Sequence, residues 1–324
     1  MGSSIDRRTF LKGLAGAGAL IATSQLPASA WDDPKAFAGR GKFERLAISY
    51  ATVKLGLEHP FSVLHISDVH LASAYPYEKD TKLTLQRRRV ETFGGRQEEA
   101  LQDCLAWAKK NTDYVVLTGD LIDWQSEANF DLVKKYFGDN FIASMGNHEF
   151  SQDMWLGEIK ETKDEAYKDL SRHKLGLVYP FDIQFCSQVV NGVNFITLDD
   201  VYGYVVQSQV DRFMEEVKKG LPIVLCMHVP FYTEDIWRNT CRFWNHADTK
   251  FTDGSLPEPS GDYLAQINDP VTRDFIAYLK TEPLLKAILA GHEHFTMEER
   301  FSPTAVQYLV GGAFMFQGRE VLFI

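Results

Sequence analysis

The chain of 324 residues is 45% hydrophobic and 24% charged, so it can bury a large core, and its length fits one large domain or two. Its formal net charge at pH 7 is −10, and an acidic surface repels polyanions, which argues against non-specific binding to nucleic acid or anionic lipid. The cysteines are widely spaced without a CxxC pair, which favours buried free thiols, although the sequence selects no pairing state for Cys104, Cys186, Cys226 and Cys241.

The first thirty residues have the pattern of an export signal. Arg7 and Arg8 precede an apolar run over 13–23, and the small residues "ASA" close the segment, which is typical of a cleavable twin-arginine signal. The run is glycine-rich and shorter than the roughly 20 residues of a membrane-spanning helix, although a retained anchor is the alternative. We predict a signal over 1–30, a single catalytic domain over 31–324 without stable membrane insertion, and export through the twin-arginine translocation machinery to the periplasm or the extracellular space.

Apolar strand-like runs alternate with helical patterns in the rest of the chain. "FSVLHISDVH" predicts a buried strand, "RQEEALQDCLAWAKKN" places apolar residues on one helix face, and "YVVLTGD" predicts a second strand. Helical patterns follow in "SEANFDLVKKYFGD" and over about 154–173, and Asn191-Gly192 marks a hairpin. Short apolar strands recur in "FIASMGNH", "PIVLCMHVP" and "LLKAILAGHEH". Repeated alternation of this kind predicts a layered α/β domain.

Polar residues that suit metal binding lie at the C-terminal ends of five predicted strands, where α/β folds gather ligand-binding groups. The segments are "SDVH", "GDLID", "GNHE", "MHVP" and "GHEH". A lone histidine is more often an ordinary interior or surface residue, but a set in this order indicates one shared pocket. Extended geometry predicts that residues two apart in "DVH" and "HEH" project to the same side. The donors are too many for one ion and enough for two: Asp68, His70, Asp120, Asn147, His228, His292 and His294.

In order, DxH, GDxxD, GNHE, a strand-end histidine and GHxH resemble the signature of the calcineurin-like metallophosphoesterases, from about Val63 to His294. The resemblance implies a four-layer α/β/β/α sandwich of two mixed β-sheets flanked by helices. It also implies a metal-dependent phosphoric ester hydrolase, either a phosphatase or a phosphodiesterase. Protein Ser/Thr phosphatases of the superfamily have arginine where Trp124 stands, and purple acid phosphatases lack the DxH histidine and have tyrosine where Asp123 stands, so both subgroups are disfavoured.

The resemblance implies two ligand sets that share one bridging carboxylate. The first metal would take Asp68, His70, Asp120 and His294, and the second would take Asp120, Asn147, His228 and His292. Oxygen and nitrogen donors without thiolate suit two divalent or trivalent ions, Mn, Fe or Zn, and select none of them. The resemblance further implies that a hydroxide bridging the two ions attacks the phosphorus of a mono- or diester.

Two further residues are implied to act in catalysis. His148 would face the leaving group or a phosphoryl oxygen as an acid or charge stabiliser, and Asp123 would orient it and keep it protonated. A helix N-cap is the alternative for Asp123. Glu149 is expected to be structural, and Glu293, between the two histidines of "HEH", is expected to be dispensable for chemistry.

Two long stretches next to strand ends could select the substrate. The stretch over 72–95 contains Arg87, Arg88 and Arg89, with Arg88 as the candidate, and these arginines could meet a second phosphate or a carboxylate or could lie on a solvated face. The stretch after His228 contains Trp237, Trp244 and His246, which could contact substrate or pack into a local core. We expect a small phosphorylated substrate, and the alternative function is a non-catalytic envelope protein that binds a phosphorylated ligand in the same pocket.

Overall fold

Two mixed β-sheets form the centre of the part of the chain that the computed structural model describes, residues 45–152, 164–244 and 255–324. The first sheet has the strand order β1-β11-β2-β3-β4. Its strands are β1 (Ala47–Val53), β2 (Phe61–Ile66), β3 (Tyr114–Thr118), β4 (Phe141–Ser144) and β11 (Gln317–Phe323). β2, β3 and β4 run parallel, so their C-terminal ends lie at one edge of the sheet.

The second sheet has the order β5-β6-β7-β8-β10-β9. Its strands are β5 (Phe185–Val190), β6 (Val193–Leu198), β7 (Ile223–Cys226), β8 (Leu285–Ala290), β9 (Met297–Arg300) and β10 (Val306–Leu309). β6, β7 and β8 are parallel, and β5 and β6 form the hairpin that was predicted at Asn191-Gly192, where both residues have positive φ.

Helices cover the outer faces of the sheets. In chain order they are α1 (Asp80–Thr92), α2 (Gln97–Asn111), α3 (Glu127–Tyr136), α4 (Glu165–Val178), α5 (Gln207–Val217), α6 (Glu234–Trp244), α7 (Gly261–Asn268) and α8 (Pro270–Leu279), with a short 3₁₀ helix at Ala313–Met315. No helix among these described residues is long and apolar enough to cross a membrane.

The core consists of layers because the central strands bury both faces. In β2, Val63 packs between the two sheets, whereas Leu64 and Ile66 pack under the outer helices of the first sheet. In β7, Val224 faces the inter-sheet layer and Leu225 faces the helices of the second sheet. This alternation with a period of two produces the expected four-layer α/β/β/α sandwich, and the prediction of fold class is confirmed.

Two details of the sequence interpretation need correction. The polar stretch over 72–95 contains α1, a helix in which only Leu85 is buried, and the stretch after His228 contains α6. A helix with one buried residue has almost no apolar stripe, so periodicity does not reveal it. The four cysteines are free, as expected, but Cys186 is only half-buried.

Candidate metal centre

The chain turns just beyond five strand ends, and the predicted donors come together there. β2 leads to Asp68 and His70, β3 to Asp120, β4 to Asn147, β7 to His228, and β8 to His292 and His294. The carboxylates and most of the imidazoles are almost fully buried, with Asp68 and His228 at 0% exposure. Buried charges of this kind need partners or bound ions, because an isolated charge in the interior is costly.

One group of donors surrounds Nε2 of His70. Nε2 of His294 lies 3.1 Å away, Oδ2 of Asp120 lies 3.8 Å away and Oδ1 of Asp68 lies 3.9 Å away. His294 and Asp68 also approach each other, with Nε2 at 3.3 Å from Oδ1. These are the four residues of the first implied ligand set, and Asp68, His70 and His294 form a group that could hold a metal ion.

A second group surrounds Nε2 of His228. Oδ1 of Asn147 lies 3.1 Å away, Nδ1 of His292 lies 3.2 Å away and Oδ2 of Asp120 lies 3.4 Å away. The same oxygen of Asp120 therefore faces both Nε2 of His70 and Nε2 of His228, which is the position that a bridging carboxylate requires.

The carboxylates of Asp68 and Asp120 each accept a backbone hydrogen bond with one oxygen, and the other oxygen faces the imidazoles. Oδ2 of Asp68 accepts a hydrogen bond from the His292 amide (3.0 Å), and Oδ1 of Asp120 accepts one from the His148 amide (2.9 Å). Oδ1 of Asp68 is buried and accepts no hydrogen bond from the described residues. An unpartnered buried carboxylate oxygen beside two imidazole nitrogens suits a cation, so this donor set fits the implied metal pair.

Hydrogen bonds on the far side of the rings orient the imidazoles. Nδ1 of His228 lies 2.7 Å from the carbonyl oxygen of Thr118, and Nδ1 of His70 lies 2.9 Å from Oδ1 of Asp123. Nε2 of His292 lies 3.4 Å from Oδ2 of Asp262. A nitrogen that donates to an oxygen leaves the opposite ring nitrogen with a lone pair for a metal ion.

Five of the predicted donors adopt the left-handed backbone conformation, which non-glycine residues rarely occupy. Their φ values are 53° at Asp68, 53° at His70, 55° at Asp120, 68° at His292 and 59° at His294. Each such conformation costs on the order of 1–3 kcal/mol and persists where the surroundings impose it. We predicted that extended backbone would turn the side chains of "DVH" and "HEH" to the same side. This reason is wrong, because these residues lie in turns beyond their strands.

The charges of the cluster favour bound positive charge. Burial opposes the charged form of His228, but the carboxylates of Asp120 and Asp68 outweigh burial and raise the pKa of His228 well above its usual value. Burial would raise the pKa of Asp68, yet His294 and His228 lower it to about 2. Burial and the neighbouring His148 lower the pKa of His70 to about 4, which leaves this imidazole neutral. The ionised Asp68 and the neutral His70 are in the protonation states that metal ligands need, whereas the raised pKa of His228 shows that the carboxylates attract a positive charge, which a bound cation would supply in place of the proton.

Asp123 binds two of the histidines. Nδ1 of His148 lies 2.9 Å from Oδ1 of Asp123, the oxygen that also contacts His70, and 2.9 Å from the backbone carbonyl oxygen of Asp123. Burial opposes protonation of His148, but Asp120 and Asp123 outweigh it and raise the pKa of His148 to about 9. The predicted pairing of Asp123 with His148 is thus present in the geometry. The helix N-cap of α3 is instead Ser126, whose side chain accepts from the amide of Asn129.

Arg89 also contacts Asp123, whereas Arg88 was the predicted candidate among the three successive arginines. Nε of Arg89 lies 2.5 Å from Oδ2, and Nη2 lies 2.9 Å from Oδ1. His70, Asp123 and His148 are close enough together to hold a metal ion. The guanidinium beside the same carboxylate disfavours a cation at that group through charge repulsion.

Glu149 connects the loops after β3 and β4. Its carboxylate accepts hydrogen bonds from the amides of Asp120 (3.0 Å), Leu121 (2.7 Å) and Gly146 (2.8 Å), and from the hydroxyl of Tyr179 (3.1 Å). These contacts agree with the expected structural role. Gly146 is required nearby for a steric reason, because a Cβ atom there would overlap Oδ1 of Asp120.

The candidate substrate-binding residues are in different environments. Trp237 is buried and donates from Nε1 to the carbonyl oxygen of Pro257 (2.6 Å), which indicates a packing role. Trp244 is 36% exposed, and its ring centroid lies 5.1 Å from that of His294. Arg88 is exposed on α1, and its neighbour Arg89 makes the contact to the cluster. His246 lies outside the described residues.

Aromatic rings border the first group of donors. Phe93 stacks on His70 with ring centroids 4.2 Å apart and an interplanar angle of 12°. The ring centroid of Phe314 lies 5.2 Å from that of His294 and 4.7 Å from that of Phe93. The ring of Trp244 packs beside His294 in a tilted arrangement. Sequence patterns did not indicate Phe93 or Phe314. Phe93 lies at the end of α1 and Phe314 lies in the short 3₁₀ helix, and no periodic pattern connects either position with the distant donors.

Comparisons with known proteins agree with this geometry. The model of the calcineurin-like phosphoesterase family matches residues 61–295. The model of the twin-arginine translocation pathway signal sequence matches residues 4–24, which lie outside the described residues, and a signal of this kind indicates export across the membrane. No curated protein sequence matches the chain.

Solved structures with similarity to the chain include a putative nucleotidase and two phosphatases. A putative 5'-nucleotidase from Staphylococcus aureus is 12% identical over 79% of this chain and 49% of that chain, with a TM-score of 0.40. A dimetal phosphatase from Danio rerio is 14% identical over 79% of this chain and 88% of that chain, with a TM-score of 0.43. A purple acid phosphatase from yellow lupin seeds is 11% identical over 79% of this chain and 44% of that chain, with a TM-score of 0.44. The chain spans about half the length of the nucleotidase.

The family match includes each of the five segments that carry the donors. It begins before Asp68, ends just beyond His294 and covers well over half of the sequence. The chain therefore belongs to the calcineurin-like phosphoesterase family.

Proposed function

We propose that the chain is an exported phosphoesterase that hydrolyses small phosphate mono- or diesters with a pair of metal ions. In this proposal the signal occupies residues 1–30 and is removed, and residues 31–324 form the catalytic domain in the periplasm or outside the cell. The match to a twin-arginine signal sequence supports export. The acidic net charge of −10 favours small substrates over long polyanions.

The observation that carries the proposal is the position of Asp120 between two groups of donors. Its Oδ2 lies 3.8 Å from Nε2 of His70 and 3.4 Å from Nε2 of His228. Each of these nitrogens also lies within 3.2 Å of a second imidazole nitrogen, on His294 or His292. Close pairs of ring nitrogens repel through their lone pairs unless a proton or a metal ion lies between them, so two such pairs suit two ions.

In the proposal, one metal ion is held by Asp68, His70, Asp120 and His294, and the other is held by Asp120, Asn147, His228 and His292. When bound, two such ions supply a water nucleophile that is deprotonated near neutral pH and neutralise charge on the phosphoryl oxygens. Mn, Fe and Zn all suit these oxygen and nitrogen donors.

The proposed role of His148 follows from the contacts of its ring. Nδ1 is held by Asp123 at 2.9 Å, whereas Nε2 lies 3.9 Å from Oδ2 of Asp120 and is not bound to Asp123. With a pKa raised to about 9, the imidazole carries a proton at neutral pH. His148 can therefore donate from Nε2 to the departing ester oxygen as the bond between phosphorus and that oxygen breaks.

The test compares purified variants on 4-nitrophenyl phosphate and bis(4-nitrophenyl) phosphate. Asp120→Asn and His228→Ala should lower turnover by at least about a thousandfold, because each removes a proposed ligand. Asp103→Asn is the matched control, since Asp103 is also a buried aspartate but pairs with Arg45 (2.7 Å) away from the cluster. Unchanged turnover in both ligand variants would refute the proposal.

A further inference from the structure

Arg89 forms a bidentate ion pair with a carboxylate that is completely buried. Nε lies 2.5 Å from Oδ2 of Asp123 and Nη2 lies 2.9 Å from Oδ1, and the side chains are 14% and 0% exposed. A two-point contact between a guanidinium and a carboxylate fixes the plane of the carboxylate as well as its position. The ion pair therefore determines how Asp123 presents Oδ1 to its other partners.

Those partners are the two imidazoles of the site. Oδ1 of Asp123 lies 2.9 Å from Nδ1 of His70 and 2.9 Å from Nδ1 of His148. One oxygen thus orients a proposed metal ligand and the proposed acid together. The backbone carbonyl oxygen of Asp123 also lies 2.9 Å from Nδ1 of His148. A rotation of the carboxylate would therefore remove one of the two acceptors of His148 and would move the contact to His70.

Arg89 is connected to the same site by a second, independent contact. Its guanidinium carbon lies 4.7 Å from the ring centroid of Phe93. Phe93 in turn stacks on His70, with centroids 4.2 Å apart and an angle of 12° between the rings. The guanidinium is therefore held between the buried carboxylate and an aromatic ring that packs on a proposed ligand.

We infer that Arg89 is a positioning residue: by holding the Asp123 carboxylate, it keeps Nε2 of His148 directed at the departing oxygen of the substrate. The inference rests on the proposed function. Arg89 acts through Asp123, since its guanidinium contacts both carboxylate oxygens of Asp123 and Oδ1 in turn contacts His148. Its neighbours Arg87 and Arg88 are exposed on the same helix. In the part of the chain that the structure describes, neither of them contacts Asp123.

The test uses Arg89→Met and Arg89→Lys with two monoesters that differ in their leaving group. Phenyl phosphate needs proton donation to its poor leaving group, whereas 4-nitrophenyl phosphate depends on it little. In Arg89→Met, kcat for phenyl phosphate should fall about 10- to 100-fold, while kcat for 4-nitrophenyl phosphate falls less than about threefold and KM changes less than about twofold. Arg89→Lys should restore part of the loss because it retains the charge without the two-point contact.

Arg96→Met is the matched control. Arg96 also pairs with a carboxylate, at 2.8 Å from Nε to Oε2 of Glu99, and its guanidinium carbon lies 4.8 Å from the ring centroid of Phe316. A general loss of stability would affect both variants alike, and would lower the rates on both esters together. The same kcat ratio between the two esters in Arg89→Met and in wild type would overturn the inference, and so would a large increase in KM at constant kcat.

A second readout does not require activity. The measurement is the exchange of the Nδ1 proton of His148 with water, in protein with ¹⁵N-labelled histidine and no added metal. The signal of this proton is identified by its loss in His148→Ala. The proton should exchange slowly in wild type and in Arg96→Met. It should exchange faster in Arg89→Met, and equal exchange would contradict the inference. If wild type hydrolyses neither monoester nor bis(4-nitrophenyl) phosphate, the proposed function fails, and this exchange measurement alone decides the role of Arg89.

Discussion

Nδ1 of His292 lies 3.2 Å from Nε2 of His228, whereas Nε2 of His294, two residues later, lies 3.1 Å from Nε2 of His70. The two histidines of one short segment thus contact opposite halves of the cluster. Glu293, between them, points elsewhere and accepts hydrogen bonds from Tyr263 (2.6 Å) and Trp244 (3.2 Å).

This division predicts different metal losses in two neighbouring variants. Because each histidine faces a different group of donors, His292→Ala and His294→Ala should each lose about one ion per chain, and they should lose different ions. Metal content after dialysis, with Mn²⁺ electron paramagnetic resonance to distinguish the remaining ion, provides the measurement. Glu293→Gln is the control and should retain both ions. Identical spectra from the two alanine variants would contradict the assignment.

Glu149 should contribute strongly to stability. Its carboxylate accepts hydrogen bonds from four backbone amides of two loops and from one tyrosine hydroxyl. Glu149→Ala leaves these buried donors without an acceptor, and each unsatisfied group costs about 1–3 kcal/mol. We expect the free energy of unfolding in urea to fall by at least about 3 kcal/mol. A change below about 1 kcal/mol would show that water or another group replaces the carboxylate.

Gly146→Ala should disrupt the cluster through one added methyl group. The new Cβ would overlap Oδ1 of Asp120 and the backbone at that residue, so the loop after β4 or the bridging carboxylate must move. We expect loss of bound metal and a lower melting temperature. Gly176→Ala is the matched control, because Gly176 lies in α4 with no atom within 4 Å of the added Cβ. That control should be neutral or stabilising by up to about 1 kcal/mol. Normal metal binding by Gly146→Ala would contradict the prediction.

The two tryptophans of α6 should behave differently. Trp237→Ala opens a cavity in a buried cluster and should destabilise the fold by about 3–5 kcal/mol, measured by urea unfolding. Trp244→Ala removes the exposed ring beside His294 and should raise KM for aryl phosphates about three- to tenfold, while KM for methyl phosphate stays constant. An equal increase in KM for both esters would show that the ring of Trp244 does not contact the aryl group.

Sequence patterns predicted a layered α/β domain because the strands bury both faces and their polar residues follow directly, whereas the four-layer arrangement of two mixed sheets was implied by the family resemblance. Val63, Leu64 and Ile66 lie in one fully buried strand, and Asp68 comes two residues after its end. The donors were recognisable because they directly follow strands in short motifs, three of which, "GDLID", "GNHE" and "GHEH", begin with glycine. Gly146 illustrates the physical basis, since the loops approach too closely there for a side chain.

Other features depend on tertiary contacts that no local pattern encodes. The helix α1 buries only Leu85, so it has no apolar stripe that a helical period would reveal. Arg89 is one of three successive arginines, and composition cannot distinguish it from the other two. Asp262 approaches His292 from a helix that precedes it by about thirty residues in the chain. The left-handed conformations at Asp68 and His294 arise from the packing of loops around the cluster, and they replace the extended geometry that a period of two predicts.

The central claim is that hydrolysis depends on a pair of ions held around Asp120. The most direct measurement is the rate of 4-nitrophenyl phosphate hydrolysis by metal-free protein, matured through its own export route, during titration with Mn²⁺. We predict negligible hydrolysis without metal and a plateau at two ions per chain, with no recovery in Asp120→Asn at the same concentrations. Full hydrolysis by the metal-free protein, or a normal titration of Asp120→Asn, would contradict the claim.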